Sequence, residues 1–375
     1  DSNKVEFRIR NAPALVPAVF QSTDYYNADI IKALKGYKNY DPLVLMLAME
    51  KKMESPTFSI LDVTGNYPTI RKNDIEYTAR LLASFYFIDY EPLRGKITIR
   101  PKLRHYYNSR LKRKDFDFMS LQSFAPNGVN ASYNLTTQDM KIFAVTKFFL
   151  SDSLNVFIEP TNANRDISVK KGRSIKFDGK LNAGAFLITG KDFELDYDKF
   201  NVKLVQIDSI ALNVDKKGDT ASQKKLNELQ SAYNKSVKLE SKRHGDTSKK
   251  ELTTGTLFIN DPFNKSGKKR IEKYPILDVS SPAYVYFDNP GVKGNFNENV
   301  YFDVPPFNID SAGQYDPKTV KFKGKFHSDG IFPVFEDTLQ VQKDKSMGFT
   351  HKVPPEGYKL FEGKAVFNGT RAMNK

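Results

Sequence analysis

Four acidic side chains alternate along one short stretch of the sequence. Asp192, Glu194, Asp196 and Asp198 are separated by apolar or aromatic residues, so a strand here places all four carboxylates on one face. Grouped carboxylates can bind calcium or act as acid and base on a glycosidic bond. Alternate residues of one strand are about 7 Å apart, so either site needs further groups from elsewhere. An exposed acidic face that pairs with nearby lysines is the favoured interpretation.

The four histidines, His105, His244, His327 and His351, show no metal-ligand spacing with one another or with a carboxylate. The chain has no cysteine, which excludes thiol catalysis, cysteine-ligated zinc and disulfides. Neither a Gly-x-Ser-x-Gly nucleophile motif nor a Gly-Lys-Ser/Thr phosphate loop occurs in the sequence. We therefore predict that the protein is not an enzyme and that it uses no metal or other cofactor.

Aromatic side chains are dense in one region that is rich in proline and asparagine. They are Tyr284, Tyr286, Phe287, Tyr301, Phe302 and Phe307. Aromatic rings can stack on sugars or on nucleic-acid bases. At least half of these rings must belong to the core, and we take Tyr284, Tyr286 and Tyr301 as a candidate binding surface.

Residues 215–250 are strongly basic and poor in apolar side chains. Between Lys216 and Lys250 there are ten Lys or Arg and four Asp or Glu, and Leu226, Leu229, Tyr233 and Val237 fall at helical spacing. We interpret the segment as an insertion between two strands, part of which is an exposed helix. The candidate contacts to an anionic polymer are Lys216, Lys217, Lys224, Lys225, Lys242, Arg243, Lys249 and Lys250.

The whole chain carries a net charge of +14. Such a charge can attract nucleic acid, acidic polysaccharide or lipid headgroups. Lys greatly outnumbers Arg, however, and Arg is the better residue for recognising phosphate. A solvated, lysine-rich surface is therefore the favoured interpretation of the charge.

The N-terminal part of the chain, residues 1–93, is predicted to be a mixed module with three short helices, over 28–35, 42–52 and 73–87. Asp41 and Pro42 form a good N-cap and first-turn pair. A small helical or winged-helix-like cap would suit this pattern. Arg71, Lys72 and Arg80 would support nucleic-acid binding, but they are scattered among acidic residues, which favours a packing module.

From Arg94 onward the apolar period changes to two, which indicates strands. Asn, Asp, Gly and Pro separate the alternating stretches, as turns require. We predict a mainly β fold: an elongated β-sheet or β-solenoid-like region with a small, helix-containing N-terminal domain. Its first part covers 94–214 and its second part covers 251–375, on either side of the basic segment 215–250.

A short apolar-x-Gly-Lys motif recurs along the chain. Its glycines are Gly95, Gly179, Gly190, Gly324 and Gly363. The occurrences at 177–186 and 322–332 both continue with a second glycine and a phenylalanine. Glycine inside a strand indicates a bulge or a close approach of two backbones. The spacing is irregular, so the sequence defines no repeat period.

The sequence contains no apolar run near the ~20 residues that a membrane helix needs, and the longest candidate is 43–49. No signal-peptide pattern opens the chain. It begins with Asp1 rather than Met, which we expect of a processed or excised piece.

Several short segments of the sequence resemble parts of very large, uncharacterised envelope proteins of gliding and related Bacteroidota. They are 177–186, 193–210, 255–267, 322–333 and 345–349, within a similarity that spans about 95–375. That family has no assigned activity, so the resemblance transfers no site residue. It implies an internal piece of a large extracytoplasmic β scaffold, in the periplasm or at the cell surface.

Two classes of function remain after these considerations. The first is a non-catalytic structural or protein-interaction module, whose partners are other envelope proteins or further domains of the same polypeptide. The second is a binding module for an anionic polymer or a carbohydrate. A hydrolase that uses the acidic strand is a distant third.

Overall fold

The structure is a computed structural model. It describes residues 3–8, 16–22, 30, 34, 40–111, 115, 119–125, 128–170, 172–212, 238–243, 252–267, 269–288, 296–312, 319–342, 346–361, 363–368 and 371–374.

Strands dominate the described residues, which confirms the prediction of a mainly β protein. The helices are α1 (Pro42–Met53), α2 (Ile60–Asn66), α3 (Lys72–Ser84) and α4 (Pro101–Arg110). The strands are β1 (Lys4–Phe7), β2 (Ala18–Gln21), β3 (Thr57–Ser59), β4 (Ile88–Glu91), β5 (Lys96–Ile99), β6 (Ser120–Ser123), β7 (Ala131–Asn134), β8 (Met140–Ile142), β9 (Phe148–Ser151), β10 (Val156–Pro160), β11 (Ile167–Val169), β12 (Ile175–Ala183), β13 (Phe186–Asp196), β14 (Asn201–Leu212), β15 (Lys238–Glu240), β16 (Thr253–Phe258), β17 (Ile276–Val279), β18 (Ala283–Tyr286), β19 (Val300–Val304), β20 (Phe307–Ile309), β21 (Lys321–Ser328), β22 (Phe335–Val341), β23 (Met347–His351), β24 (Tyr358–Leu360), β25 (Ala365–Phe367) and β26 (Arg371–Asn374).

The chain divides into two compact units. Unit 1 contains Asp1–Phe20, Leu121–Asp261 and Lys269–Lys375, and unit 2 contains Gln21–Ser120 and Pro262–Lys268. All four described helices lie in unit 2, together with a three-stranded antiparallel sheet in the order β3-β5-β4.

Local sequence explains where the helices of unit 2 begin. Asp41 caps α1, because its side chain accepts hydrogen bonds from the backbone N–H groups of Leu43 and Val44. Ser59 and Asp62 form a reciprocal capping box at the start of α2. Of the three predicted helices, α1 and α3 are present close to the expected positions, and 28–35 lies almost entirely outside the described residues.

Unit 2 extends beyond the predicted boundary at residue 93. Strand β5 pairs with β3 and β4, and α4 follows it directly. Ile97 of β5 and Leu103 and Tyr106 of α4 are buried in the same core as Met46 and Leu82. The alternation that starts at Arg94 therefore belongs to a strand of the helical unit, because β5 pairs with β3 and β4 and buries Ile97 against the helices.

Unit 1 is built on one large antiparallel sheet, in which the described residues form nineteen strands. Its longest neighbouring strands are β12, β13 and β14, which place Phe193 opposite both Phe177 and Leu204. These three side chains are almost completely buried. The sheet branches at β12, which pairs with β11 and β10, and at β14, which pairs with β16 and β15.

Two groups of strands in this sheet follow the same pairing scheme. We name β7–β14 the first strand set and β16–β23 the second strand set. The matching antiparallel pairs are β7–β8 and β16–β17, β8–β11 and β17–β20, β9–β10 and β18–β19, β10–β12 and β19–β21, β12–β13 and β21–β22, and β13–β14 and β22–β23.

Two glycines of the recurrent motif occupy matching places in the two sets. A Cβ added to Gly179 in β12 would lie 2.3 Å from the carbonyl oxygen of Glu159 in β10. A Cβ added to Gly324 in β21 would lie 2.1 Å from that of Asp303 in β19. At these two glycines the motif lies where neighbouring backbones approach closely. This confirms the prediction of a close approach for β12 and β21.

One part of the predicted basic insertion belongs to the sheet. Lys238–Glu240 is strand β15, which pairs with β14 and, through Glu240, with Tyr284 of β18. Leu239 is 1% exposed. The expectation of an exposed segment fails at this strand, because Leu239 is buried once the strand is paired. The residues with helical spacing, 226–237, lie outside the described residues.

Candidate functional site

The aromatic residues predicted as a binding surface come together on two neighbouring strands of the second set, and a histidine on a third strand joins them. Tyr284 and Tyr286 lie on β18, and their ring centroids are each 5.8 Å from that of Tyr301 on β19. The ring of Tyr301 stacks on the imidazole of His327 on β21, with 4.5 Å between centroids. The pairing of β18 with β19 and of β19 with β21 produces this row, which we name the Tyr–His row.

The Tyr–His row is less exposed than the sequence suggested. Tyr284 is 6% exposed and Tyr286 is 4% exposed, whereas Tyr301 and His327 are half-buried. All four residues of β18 are buried, so this strand has no exposed face. The prediction of three exposed tyrosines therefore needs correction: only Tyr301 can present part of its ring to a ligand.

Arg243, a candidate polyanion contact, covers Tyr286. Its guanidinium carbon lies 4.3 Å from the centroid of the Tyr286 ring, and its backbone N–H donates to the Tyr286 hydroxyl at 2.7 Å. Its side chain donates to Glu240 at 2.8 Å and to Asp288 at 2.5 Å. Two carboxylates thus neutralise this cation, which argues against a role for Arg243 in holding a polyanion.

The ionisation of this cluster follows from burial and from the two carboxylates. Burial disfavours the charged form of Arg243, but the hydrogen bonds and charges of Glu240 and Asp288 outweigh it and raise the pKa of the guanidinium. Burial is also the main cause that raises the pKa of Tyr286. Oδ1 of Asp288 is buried and has no hydrogen-bond partner among the described residues. Arg243 therefore stays charged and fixed in place.

His327, at the half-buried end of the Tyr–His row, lies among charges of both signs. Its pKa is lowered, first by burial and then by the charges of Lys325 and Lys242, against the opposing effect of Asp303. Lys242 is the second candidate polyanion contact that the structure describes. The other six candidates, Lys216, Lys217, Lys224, Lys225, Lys249 and Lys250, lie outside the described residues.

The first strand set carries a similar cation over paired aromatic rings. Phe149 of β9 is opposite Phe157 of β10, just as Tyr286 is opposite Tyr301, and the two rings are 5.3 Å apart. Nζ of Lys147 lies 3.5 Å from the centroid of Phe157 and 4.6 Å from that of Phe149. Burial lowers the pKa of Lys147. The ring pairs occupy matching strands, but the cations do not: Lys147 directly precedes β9, whereas Arg243 follows β15, which belongs to neither set.

The acidic residues of β13 behave as a paired surface. Glu194 lies 3.4 Å from Nζ of Lys176 on β12, and Asp196 lies 3.3 Å from Nζ of Lys199. Burial opposes ionisation of Asp196, but hydrogen bonds from Lys199 and nearby positive charges outweigh it and lower the pKa. Asp192 and Asp198 are exposed, and Asp198 lies in the turn after β13, so the four predicted carboxylates do not all lie on one strand. The described residues contain no group of three or more His, Asp or Glu side chains that could hold a metal ion.

One hydrogen-bonded cluster was not found from the sequence. Nδ1 of His351 lies 2.7 Å from Oδ2 of Asp337, and Nε2 lies 2.5 Å from the hydroxyl of Tyr358. Phe335 stacks on the imidazole with 3.8 Å between centroids. Asp337 and His351 are on neighbouring strands, so only the register of β22 with β23 brings them together. The cluster fixes the β24–β25 hairpin, which starts at Tyr358, to the large sheet.

Several of the described basic residues of unit 2 are engaged in ion pairs on its surface. Lys72 lies 3.8 Å from Glu76, and Arg100 lies 2.6 Å from Asp89. Lys96 lies 3.3 Å from Glu91. These pairs reduce the free positive charge that the β4–β5 hairpin and Lys72 of α3 could offer to a nucleic acid.

Within the part of the chain that the structure describes, no helix combines the length and apolarity that crossing a membrane requires. Comparison of the sequence and structure with family models, curated proteins and solved structures gives no match.

Proposed function

We propose that this chain is a non-catalytic structural and protein-interaction module of a large bacterial envelope protein. Its place is extracytoplasmic, in the periplasm or at the cell surface. Its partners are other envelope proteins or further domains of the same polypeptide. The resemblance to envelope proteins of Bacteroidota, carried by phrases such as 322–333, motivates the location.

The doubled pairing scheme of the large sheet carries this proposal. The last long strand of the first set, β14, pairs directly with the first strand of the second set, β16. Repeated units that join edge to edge produce extended scaffolds, because each unit offers its neighbour the same kind of surface. An elongated, β-solenoid-like array is the architecture that we propose for the longer protein.

The side chains that could in principle take part in catalysis or binding are engaged in contacts that support a structural role. Arg243, Glu240 and Asp288 neutralise one another, and the acidic strand β13 pairs with lysines. His351 connects Asp337 to a hairpin. Unit 2, with its helices and three-stranded sheet, fits a winged-helix-like cap that packs rather than binds nucleic acid.

Cell fractionation tests the proposal directly. In a gliding bacterium that encodes this chain, an epitope-tagged copy is expected in the envelope fraction. A protease added after the outer membrane has been permeabilised should cleave it, and a periplasmic crosslinker should link it to other envelope proteins. Recovery in the cytosol, protected from protease, would contradict the proposed location and partners.

Binding of an anionic polymer or carbohydrate is the second candidate function. The observation in its favour is the half-buried Tyr301–His327 stack, whose surrounding includes the positive charges of Lys242 and Lys325. Its strongest sequence support is the basic segment, of which most lies outside the described residues.

Charge removal distinguishes this second function from a merely solvated surface. Replacing Lys216, Lys217, Lys224 and Lys225 by Gln should reduce heparin retention at low salt, since polyanion affinity follows the number of released counterions. The matched control replaces Lys51, Lys52, Lys72 and Lys96 of unit 2 by Gln. Equal loss of retention in both variants would show that the charge acts as a whole and that the segment is no specific site.

A further inference from the structure

Three lysines lie on one face of β21 in the second strand set. Lys321, Lys323 and Lys325 alternate with buried or half-buried residues, and all three are exposed. Alternate residues of a strand lie on the same face about 7 Å apart, so the three side chains form a row, which we name the lysine stripe. The same face continues with His327, which stacks on Tyr301 of the neighbouring strand β19.

The residues opposite the first two lysines on β22 are uncharged. Gln340 is opposite Lys321, and Thr338 is opposite Lys323. Within the part of the chain that the structure describes, neither ammonium group forms an ion pair. The charges of these two lysines are therefore available to a ligand.

The third lysine lies between acidic residues without binding them. Lys325 is opposite Asp303 of β19 and Glu336 of β22, yet it forms no ion pair with either carboxylate or with any other described residue. Burial first, and then the charges of Lys325 and Lys242, lower the pKa of His327 against the opposing charge of Asp303. The positive charge of the lysine stripe therefore acts as far as the Tyr–His row.

The first strand set shows that the fold does not require this concentration of charge. In that set Lys176 of β12 pairs with Glu194 of β13 at 3.4 Å, and the residue at the place of Glu194 in the second set is Gln340. The residue before the matching motif glycine is Asp178 in β12 and Lys323 in β21. The second set thus has two fewer carboxylates at matching positions, and its lysines remain without the partner that Lys176 has.

The groups that this face offers suit an acidic polysaccharide better than a nucleic acid. The ring of Tyr301 lies between His327 on one side and the tyrosines of β18 on the other, so it has no open face on which a base could stack. Lysine is a point charge and lacks the planar fork with which arginine recognises phosphate. A sugar polymer with carboxylate or sulfate groups needs only a row of such charges and polar groups beside them.

We propose that the lysine stripe, with His327 and Tyr301 at its end, is a binding site for an acidic polysaccharide that runs along β21. Anionic groups on successive sugars pair with the ammonium groups, and the side chains of Gln340 and Thr338 bind sugar hydroxyls beside them. The inference rests on the second candidate function, to which it assigns a class of ligand and a site within the sheet.

Two substitutions that give the second set the charges of the first set test the site. Lys323→Asp and Gln340→Glu reproduce Asp178 and Glu194, and the sheet should accept them because the first set contains these residues at matching positions. The dissociation constants for heparin, which is sulfated, and for alginate, which is carboxylated, are measured at low salt by biolayer interferometry. Both should rise roughly tenfold or more, since polyanion affinity follows the number of ionic contacts.

A matched control separates the site from the net charge. It replaces three lysines of the first set by Gln, which changes the net charge by the same amount; they are Lys176, Lys180 and Lys199. The affinity of this control should fall by less than about threefold. A third variant replaces every lysine of the stripe by Arg and should keep the affinity of the unaltered chain, because the charges remain.

Circular dichroism shows whether each variant is folded. If the variant with Lys323→Asp and Gln340→Glu does not fold, Lys321→Gln, Lys323→Gln and Lys325→Gln replace it, since these exposed side chains make no ion pair among the described residues. Undiminished affinity of a folded stripe variant for both polysaccharides would overturn the proposal. An equal loss in the control on the first set would overturn it as well, because binding would then follow the net charge.

Single-stranded DNA tests the class of ligand. It should bind more weakly than heparin at equal salt. If it binds as tightly and depends on the same lysines, the assignment to polysaccharide is wrong.

The four-lysine variant of residues 216–225 separates this inference from the function on which it rests. Retention on heparin that survives in that variant and is lost in the stripe variant supports the lysine stripe. Loss in the four-lysine variant alone would sustain the second candidate function and overturn the stripe. If the unaltered chain binds neither polysaccharide, both fail, whereas the proposal of an envelope module is unaffected.

Discussion

Gly324 lies so close to Asp303 that a Cβ built on the glycine would be 2.1 Å from the carbonyl oxygen of Asp303. The two residues belong to neighbouring strands, β21 and β19, in which Asp303 pairs with Lys325. A side chain at Gly324 would have to push the backbone of β19 away. The close approach of these strands therefore depends on the absence of a side chain.

Substitution of Gly324 by alanine should destabilise unit 1. The added methyl group meets backbone atoms that cannot rotate away, so we expect a loss of about 1–3 kcal/mol in the free energy of unfolding. Urea unfolding followed by circular dichroism measures it. The control is Gly65→Ala in α2, where the new Cβ meets nothing within 4 Å; there we expect no loss, and a gain of up to ~1 kcal/mol. Equal effects of the two substitutions would contradict the steric argument.

Removal of the Arg243 side chain should cost more stability than its partial exposure suggests. Arg243→Ala removes the cation that Glu240 and Asp288 share, leaves Glu240 only the longer ion pair with Lys238, and uncovers the ring of Tyr286. We expect a loss of about 1–3 kcal/mol in the free energy of unfolding, measured by urea titration. Arg94→Ala removes a 78% exposed partner of Glu91 and should change stability by less than ~0.5 kcal/mol. A difference below experimental error would contradict the assigned role.

The stability of the protein should fall as the pH is lowered through the titration of His327. The pKa of His327 in the folded state is below its ordinary value of 6.5, so the unfolded chain binds the proton first. The unfolding free energy therefore decreases as the pH falls from above 6.5 to the folded-state pKa, and its contribution is constant below that value. Urea unfolding between pH 5 and 8 measures this slope.

The matched variant for this measurement is His327→Gln, which should reduce the slope over the same pH range. Titration of the imidazole by NMR should give a midpoint below 6.5 for His327 in the folded protein. A midpoint above 6.5 would reverse the sign of the expected dependence.

The hydroxyl of Tyr358 should stabilise the attachment of the β24–β25 hairpin. Tyr358→Phe keeps the ring that stacks on Phe335 but removes the hydrogen bond to Nε2 of His351. We expect a loss of about 0.5–1.5 kcal/mol and faster proteolysis near the hairpin. Tyr86→Phe, at a 61% exposed tyrosine, is the control and should have no effect. A double-mutant cycle with Asp337→Asn should show coupling, and strict additivity would count against a connected cluster.

Local patterns in the sequence were sufficient for several elements. The Asp41–Pro42 pair marks the start of α1, and the alternation around Phe193 and Leu195 predicts both strand β13 and its buried face. Glu194 and Asp196 lie on the opposite face, as the period of two requires, whereas Asp198 lies beyond the end of the strand. These features depend on neighbours within a few residues, so the sequence contains what is needed to predict them.

The boundary of unit 2 shows where local pattern misleads. The alternation of β5 is the same whether the strand joins the large sheet or the helical unit. The pairing of β5 with β3 and the burial of Ile97 against the helices place β5 in unit 2. Those contacts connect residues far apart in the chain, and no period in the sequence reports them.

By itself, the sequence determined the mainly β class, the start of α1 and the alternating faces of strands such as β13, because each results from backbone geometry and burial over short stretches. It did not predict α2 or α4. Only the tertiary structure decided that Arg243 covers Tyr286, that His351 meets Asp337, and that two strand sets share one pairing scheme. Those relationships come from hydrogen-bond registers between distant strands. The connections between matching strands differ in length between the two sets. The shared pairing scheme therefore produces no regular repeat in the sequence, and the motif glycines are irregularly spaced.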